Sequence, residues 1–185
     1  MERSSVSERF AIGSELPHFS LPSVDGSVVT DQFFSGAAAS LVVFTCNHCP
    51  YVKGSEAMLN TIVKRFIPEG LKVVAISSND SVQYPDDGFA QMKEKAVREQ
   101  LPYPYLYDES QAVAKAFDAA CTPEIYLFDR SHKLVFHGTV NDSPRDPSKV
   151  SKEYLSDAIS AVIAGEVPPQ QFVHAIGCSI KWKAA

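Results

Sequence analysis

Cys46 and Cys49 enclose Asn47 and His48 in a C-N-H-C run that follows the apolar stretch Leu41-Val42-Val43-Phe44-Thr45 and precedes Pro50. Two thiols at this spacing can close a disulfide or exchange one with a substrate. A thiol at a strand-to-helix junction also meets unpaired backbone N–H groups and the positive end of the helix dipole, which favour a thiolate. The pair therefore points to redox chemistry. Pro50 suits the first helical position, so Cys49 is expected at the N-cap and is favoured as the nucleophile, with Cys46 as its partner. The opposite assignment stays open: Cys46 attacks and His48 tunes it from between the cysteines.

Other residues that could do chemistry give weaker patterns. Zinc would need two further ligands, and Cys121, Cys178, His132, His137 and His174 supply no second C-x-x-C or paired-histidine spacing. No metal is expected, and Pro50 stands where covalent haem attachment needs histidine. No bound cofactor is required. Tyr51 and Lys53 lie in the first helical turn and can line the site, although a solvated lysine is the default. Asn79-Asp80 follows the second core strand at the same sheet end, where it can reach the site or cap a turn. Cys178 sits beside Gly177 in a tail without periodicity, which suggests mobility. It could fold over and pair with Cys49 or with another subunit, but an ordinary thiol is the favoured reading.

The elements that must position these groups alternate along the chain. Phe19 to Leu21 and Ser27 to Thr30 flank Asp25-Gly26, a strong turn signal, and predict an N-terminal hairpin. Leu41 to Thr45 and Leu71 to Ser77 read as buried strands. Between them Val52, Leu59, Ile62, Val63 and Phe66 share one helical face over residues 50 to 66, until Pro68-Glu69-Gly70 stops the helix. Helical spacing returns at Phe89, Met92 and Ala96 after the acidic start Asp86-Asp87, and at Val113, Ala114 and Phe117 after Asp108 and Glu109. Pro104 to Tyr107 is extended. Ile125 to Phe128 and Lys133 to His137 form a second hairpin, and a last helix is expected near 149 to 164. The tail from 166 is assigned no regular structure. Strand, helix, strand, helix, hairpin, helix is an α/β order with a mixed central sheet covered on both faces.

At 185 residues with 45% hydrophobic and 21% charged, the chain suits one domain, residues 1–185, with its core at about 11–165. A net charge of −5 with dispersed lysines and arginines gives no basic footprint for nucleic acid. The start, with Glu2, Arg3, Glu8 and Arg9, has no apolar run, so neither a signal peptide nor a membrane span is expected and the cytoplasm is the default. In that compartment four cysteines speak for catalysis, sensing or metal binding rather than structural disulfides.

Over residues 11 to 165 the chain resembles the thioredoxin superfamily, specifically its peroxiredoxin-like, TlpA-like and alkyl hydroperoxide reductase/thiol-specific antioxidant branch. The resemblance is carried by Gly13, Pro17, Phe19, Leu21 and Asp25-Gly26, by Cys46 to Cys49, and by Thr122-Pro123 before Ile125-Tyr126-Leu127-Phe128-Asp129. It implies a thioredoxin-like fold in which Pro123 is a cis-proline beside the redox cysteine and, with Thr122 and Tyr51, helps bind substrate. Cys49 stands at the distance from Phe44 at which thioredoxins carry their first motif cysteine. Cys121 could then approach the site as a resolving or sensing thiol, or pack as a small buried hydrophobe. Thr45 is one residue too far from Cys49 for the peroxiredoxin threonine, and the peroxiredoxin arginine falls near Pro123. Val43 fills the place of the buried thioredoxin acid. Glu124 is a possible replacement, with an exposed salt-bridging glutamate the favoured reading.

The resemblance implies a thiol–disulfide oxidoreductase acting on a disulfide-containing protein, a small disulfide or a peroxide, with electrons from thioredoxin, glutaredoxin or a small thiol. The alternatives are a thiol peroxidase of the antioxidant type and a non-catalytic thioredoxin-like binding module.

Overall fold

In the computed structural model, which describes residues 10–184, the Asp25-Gly26 signal closes a hairpin in which β1 (Ser20–Pro22) pairs antiparallel with β2 (Val28–Thr30). Gly26 lies at φ +93°, a backbone state open to glycine without side-chain strain. The charged residues at 2–9 fall outside the described residues.

The main sheet has five strands in the order β5-β4-β3-β7-β8. Strand β3 (Ala39–Phe44) is buried at every position, as a strand covered on both faces must be. It runs parallel to β4 (Leu71–Ser77), which runs parallel to β5 (Tyr105–Tyr107). The chain then forms a two-residue strand β6 (Cys121–Thr122) before β7 (Glu124–Phe128) and β8 (Leu134–Gly138). Strand β7 lies antiparallel to β3 and to β8.

Four helices flank the sheet: α1 (Pro50–Phe66), α2 (Phe89–Arg98), α3 (Ala112–Ala116) and α4 (Tyr154–Ile163). The alternation of β3 splits the core in two. Leu41 and Val43 pack with Leu59, Ile62, Val63 and Phe66 of α1 and with Leu155 and Ile159 of α4. Val42 and Phe44 pack on the other face with Val113, Phe117, Phe34 and Phe10. Each such buried side chain contributes roughly 1.5–3 kcal/mol, so α1 is held by its apolar face more than by its intrinsic propensity.

Two expectations are corrected. The last helix begins at Tyr154, because Pro147 leads only a short 3-10 turn over Pro147–Lys149. The tail does contain regular structure: β9 (Cys178–Ser179) pairs antiparallel with β6. A strand of two residues leaves no periodicity to detect.

The topology decides where chemistry can gather. The C-terminal ends of the parallel strands β3, β4 and β5 open on one edge of the sheet. Since β7 is antiparallel to β3, with Glu124 opposite Phe44, its entry meets the same edge. The loops after β3 and β4 and the Thr122-Pro123 entry to β7 therefore converge.

Candidate active site

Cys49 is the N-cap of α1, with extended backbone, and Pro50 is the first helical residue. Its sulfur lies 3.2 Å from the carbonyl oxygen of Thr122, which accepts from it in the thiol form. The Thr122–Pro123 peptide bond is cis. Cys46 Sγ is 3.4 Å from the Thr122 hydroxyl. Both cysteines are fully buried, and with Val52 they form a small cluster against which Tyr51 and the part-exposed Cys178 pack.

The two thiols differ sharply in acidity. Cys49 is held down at about 4, chiefly by a hydrogen bond from the Cys46 thiol. Burial opposes this, and the Cys178 thiol and the backbone N–H groups of Val52 and Cys178 add to it. Val52 is the third helical residue, where an N-cap side chain meets a free N–H. Cys46 is driven far above an ordinary thiol by that same hydrogen bond to Cys49, then by burial and by the negative charge of Asp87. The Thr122 hydroxyl, donating to it, is the counter-influence. Ionisation of one thiol thus keeps the proton on the other.

The loop between the cysteines is pinned from the 3-10 turn Pro85–Asp87. Asp87 is fully buried, and its Oδ1 accepts from Asn47 N–H at 2.7 Å. Its Oδ2 accepts from Asn79 Nδ2 at 2.8 Å and pairs with His48 Nδ1 at 2.6 Å. A carboxylate only accepts, so the proton in that last bond is assigned to His48 Nδ1. The His48 ring stacks on Tyr84, 5.5 Å between centroids. Asn47 donates from Nδ2 to Asp86 O at 2.7 Å and accepts from the Tyr105 hydroxyl at 3.0 Å. Lys95, paired with Glu56 at 2.9 Å, donates to Cys46 O at 3.3 Å.

Cys46, His48 and Asp87 bring ligand atoms within 4.8 Å of one another, the one such cluster among the described residues. A metal could be held there only at the expense of bonds already made, since both Asp87 oxygens receive protein N–H groups and His48 Nδ1 is bound to one of them. The arrangement fits a hydrogen-bonded dyad beside a thiol better than a ligand set.

Asp87, Lys95, Tyr84 and Tyr105 were not read from the sequence as site residues. Asp86-Asp87 carries the signal of a helix start, yet Asp87 turns inward, and the spacing of 39 residues from His48 leaves no local trace. Asn79 reaches the site, where capping was the other reading. Glu124 is not the exposed glutamate favoured by the sequence. It is fully buried, bonded to His137 Nε2 at 2.7 Å and accepting from the N–H groups of Ala120 and Cys121 at 2.7 and 3.1 Å. Lys53 is exposed. Cys121 is buried, and burial pushes its thiol up. Cys178 lies opposite Thr122 in the β6–β9 pair.

The sequence profile described as the AhpC/TSA family matches residues 12–137. The chain belongs to that family. This AhpC/TSA member is similar to the crystal structure of an uncharacterized conserved protein from Geobacillus kaustophilus, at 42% identity and TM-score 0.93 over 100% of this chain and 98% of that one. A hypothetical protein from Sinorhizobium meliloti 1021 is similar at 36% identity and TM-score 0.90, over 95% of this chain and 96% of that one. The thioredoxin domain of a thiol-disulfide oxidoreductase from Bacteroides vulgatus shares the fold at 19% identity and TM-score 0.60, over 73% and 93% of the two chains. No curated protein matches. The thioredoxin-like fold and the peroxiredoxin-like branch expected from the motif residues are thus both found.

Proposed function

We propose that this AhpC/TSA member is a thiol–disulfide oxidoreductase that cycles Cys49 and Cys46 between dithiol and disulfide. The observation that carries the reading is the placement of Cys49 as the N-cap of α1, with its sulfur beside Cys46 and the Thr122 carbonyl before the cis Pro123, a setting that lowers its pKa and raises that of Cys46. The Cys49 thiolate attacks one sulfur of a substrate disulfide, forming a mixed disulfide and releasing the other sulfur as a thiolate that takes up a proton. Cys46 then loses its proton and attacks Cys49 Sγ, which closes the Cys46–Cys49 disulfide and expels the second substrate thiol. His48, whose Nδ1 proton is held by Asp87, keeps Nε2 as the ring nitrogen that would accept the Cys46 proton. Thr122 borders both sulfurs and, with Pro123 after it, forms the rim against which substrate rests. Two electrons per cycle return from an external thiol donor such as thioredoxin, glutaredoxin or a small thiol. Cytoplasmic residence is part of the proposal. None of the described helices is long and apolar enough to cross a membrane.

A thiol peroxidase is the second reading, favoured by family membership and by full burial of Cys49, which suits a small oxidant better than a large one. Against it, Thr45 stands one residue too far from Cys49 for the peroxiredoxin threonine, and Pro123 stands where the peroxiredoxin arginine falls. Alkylation of reduced protein followed by mass spectrometry against pH tests the common core of both readings. Cys49 should react with a midpoint near its pKa of about 4, and Cys46 should stay slow at pH 7. A midpoint for Cys49 near the ordinary thiol value of about 8.5 would reject the assignment. The faster of hydrogen peroxide and a disulfide in oxidising Cys49 separates the two readings.

A further inference from the structure

The C-terminal strand occupies the edge at which a substrate chain would pair. Strand β6 ends at Thr122, whose carbonyl and hydroxyl touch the two redox sulfurs. An extended polypeptide delivered to those sulfurs would add to that edge by strand pairing. The edge is already taken: β9 sets Cys178 opposite Thr122 and Ser179 opposite Cys121 in an antiparallel pair. The seat is a fitted one. A Cβ at Gly177 would lie 2.2 Å from Thr122 O and 2.7 Å from its carbonyl carbon, so the tail backbone rests directly on the residue before Pro123.

The residues beyond fasten the strand. Ile180 is buried and donates its N–H to Ala120 O at 3.0 Å. Lys181 N–H donates to Asn79 Oδ1 at 2.9 Å, while Lys181 O accepts from Asp80 N–H at 2.8 Å and from Gln111 Nε2 at 2.9 Å. Cys49 and Cys46 are fully buried under this arrangement, and of the three clustered thiols only Cys178 retains solvent exposure.

We infer that the C-terminal strand is a built-in occupant of the substrate edge, which closes the site to extended polypeptide disulfides, restricts it to small oxidants, and makes Cys178 the thiol through which Cys49 communicates with solvent. The inference rests on Cys49 being the nucleophile. A small disulfide R–S–S–R reaches Cys49, whose thiolate forms Cys49–S–S–R and releases RS⁻. Cys178 competes with Cys46 for this adduct: it gives its proton to the leaving thiolate and attacks Cys49 Sγ, forming Cys49–S–S–Cys178 and expelling the second RS⁻, which is protonated from solvent. The bridge now has one exposed sulfur. An external thiol attacks Cys178 Sγ and expels Cys49 as a thiolate, a good leaving group because of its low pKa. A second external thiol then frees Cys178 and leaves the external donor as its disulfide. Arg145 and Lys181 both help the Cys178 thiol to ionise, against burial and the neighbouring Cys49, which together push it up to about 11.

The full-length Cys46→Ser variant, reduced and then treated with one equivalent of oxidised glutathione, tests the third thiol. Peptide mapping should find Cys49 bridged to Cys178, with the glutathione adduct at Cys49 forming less than a tenth of the product. A persistent Cys49–glutathione adduct with Cys178 still free overturns the inference and leaves Cys49 as nucleophile. No reaction at Cys49 overturns both. Wild type should reduce oxidised glutathione at least tenfold faster than a disulfide-bonded peptide of ten or more residues, and Gly177→Val, which unseats the strand, should narrow that ratio. Equal wild-type rates on the two oxidants would refute the closed edge whatever the variant does.

Discussion

Asp87 gathers donors from two separate stretches of chain, the loop between the cysteines and the segment after β4, and the site depends on it more than the sequence suggests. Its carboxylate fixes the backbone at Asn47, orients His48 and binds Asn79, and its charge helps keep Cys46 protonated. Asp87→Asn should therefore do two things. Loss of charge-assisted bonds at a buried carboxylate should lower unfolding free energy by roughly 1–3 kcal/mol, read from urea denaturation. The Cys46 pKa should fall, so that in a Cys49→Ser background Cys46 alkylates faster at pH 8 to 9 when Asp87→Asn is added than when the carboxylate is kept. An unchanged alkylation rate would remove Asp87 from the electrostatics of the dithiol. Cys49 supplies a pH signature of its own. Its folded pKa of about 4 lies below the unfolded value, about 8.5, so folding releases a proton between those limits. The stabilisation is complete above about pH 8.5 and fades as pH falls through the folded value of about 4. Cys46, raised by contrast, gives stability that is present below its unfolded pKa and lost as pH climbs above it. Reduced wild type should gain stability from pH 5 to 8 relative to Cys49→Ser, measured as the difference in urea midpoint. Parallel midpoints across that range would contradict the depressed thiol.

At the scale of elements, the sequence announces what is periodic and conceals what is short. The apolar face of α1, the buried runs of β3 and β4 and the Asp25-Gly26 hairpin are legible because repeating side chains must enter a core. Cys49 at the helix start is legible because Pro50 marks the first helical position. Strands β6 and β9 are not, since two residues cannot express a period and their pairing joins positions more than fifty residues apart. Asp87 and Glu124 escaped for a related reason: the partner that buries each is chosen by the fold and not by neighbours in sequence. The tail strand can nonetheless be followed by experiment, because the only tryptophan, Trp182, lies three residues beyond β9. Ile180 is the buried anchor of this segment and packs with the core on the β3 face that holds Phe44. Ile180→Ala should cost roughly 2–5 kcal/mol if the strand is part of the cooperative core. With local release of the tail instead, the global loss would be smaller, Trp182 emission would change before the main transition, and Cys178 would alkylate about tenfold faster, the rate factor expected for about 1.4 kcal/mol of lost seating. Neither destabilisation nor faster alkylation would mean that Ile180 does not hold β9 in place.

For the whole molecule, a buried carboxylate–imidazole hydrogen bond links strand β8 to the redox edge. Glu124 begins β7 opposite Phe44, the last residue of β3, and holds the N–H groups of Ala120 and Cys121 immediately before the Thr122-Pro123 rim. Its other oxygen meets His137 of β8, whose ring stacks on Tyr126 at 4.4 Å. Burial works against the Glu124 charge, but the His137 bond and the backbone donors outweigh it and hold the carboxyl below its usual range. Removing only the histidine, as His137→Leu, strands a buried carboxylate. The expected cost is about 3–5 kcal/mol, the range for breaking one side of a buried pair. Glu124→Gln should cost less, because an amide oxygen can still accept from Ala120 and Cys121. The double variant should regain much of what His137→Leu alone loses, since it leaves no unpaired charge, and the excess over additivity measures the coupling. Because the same glutamate shapes the approach to Thr122, His137→Leu should also loosen the β6–β9 pair and speed Cys178 alkylation, whereas the double variant should slow it again. Strictly additive stabilities with unchanged Cys178 reactivity would show that the pair is a local feature of the sheet, uncoupled from the edge where the thiols meet.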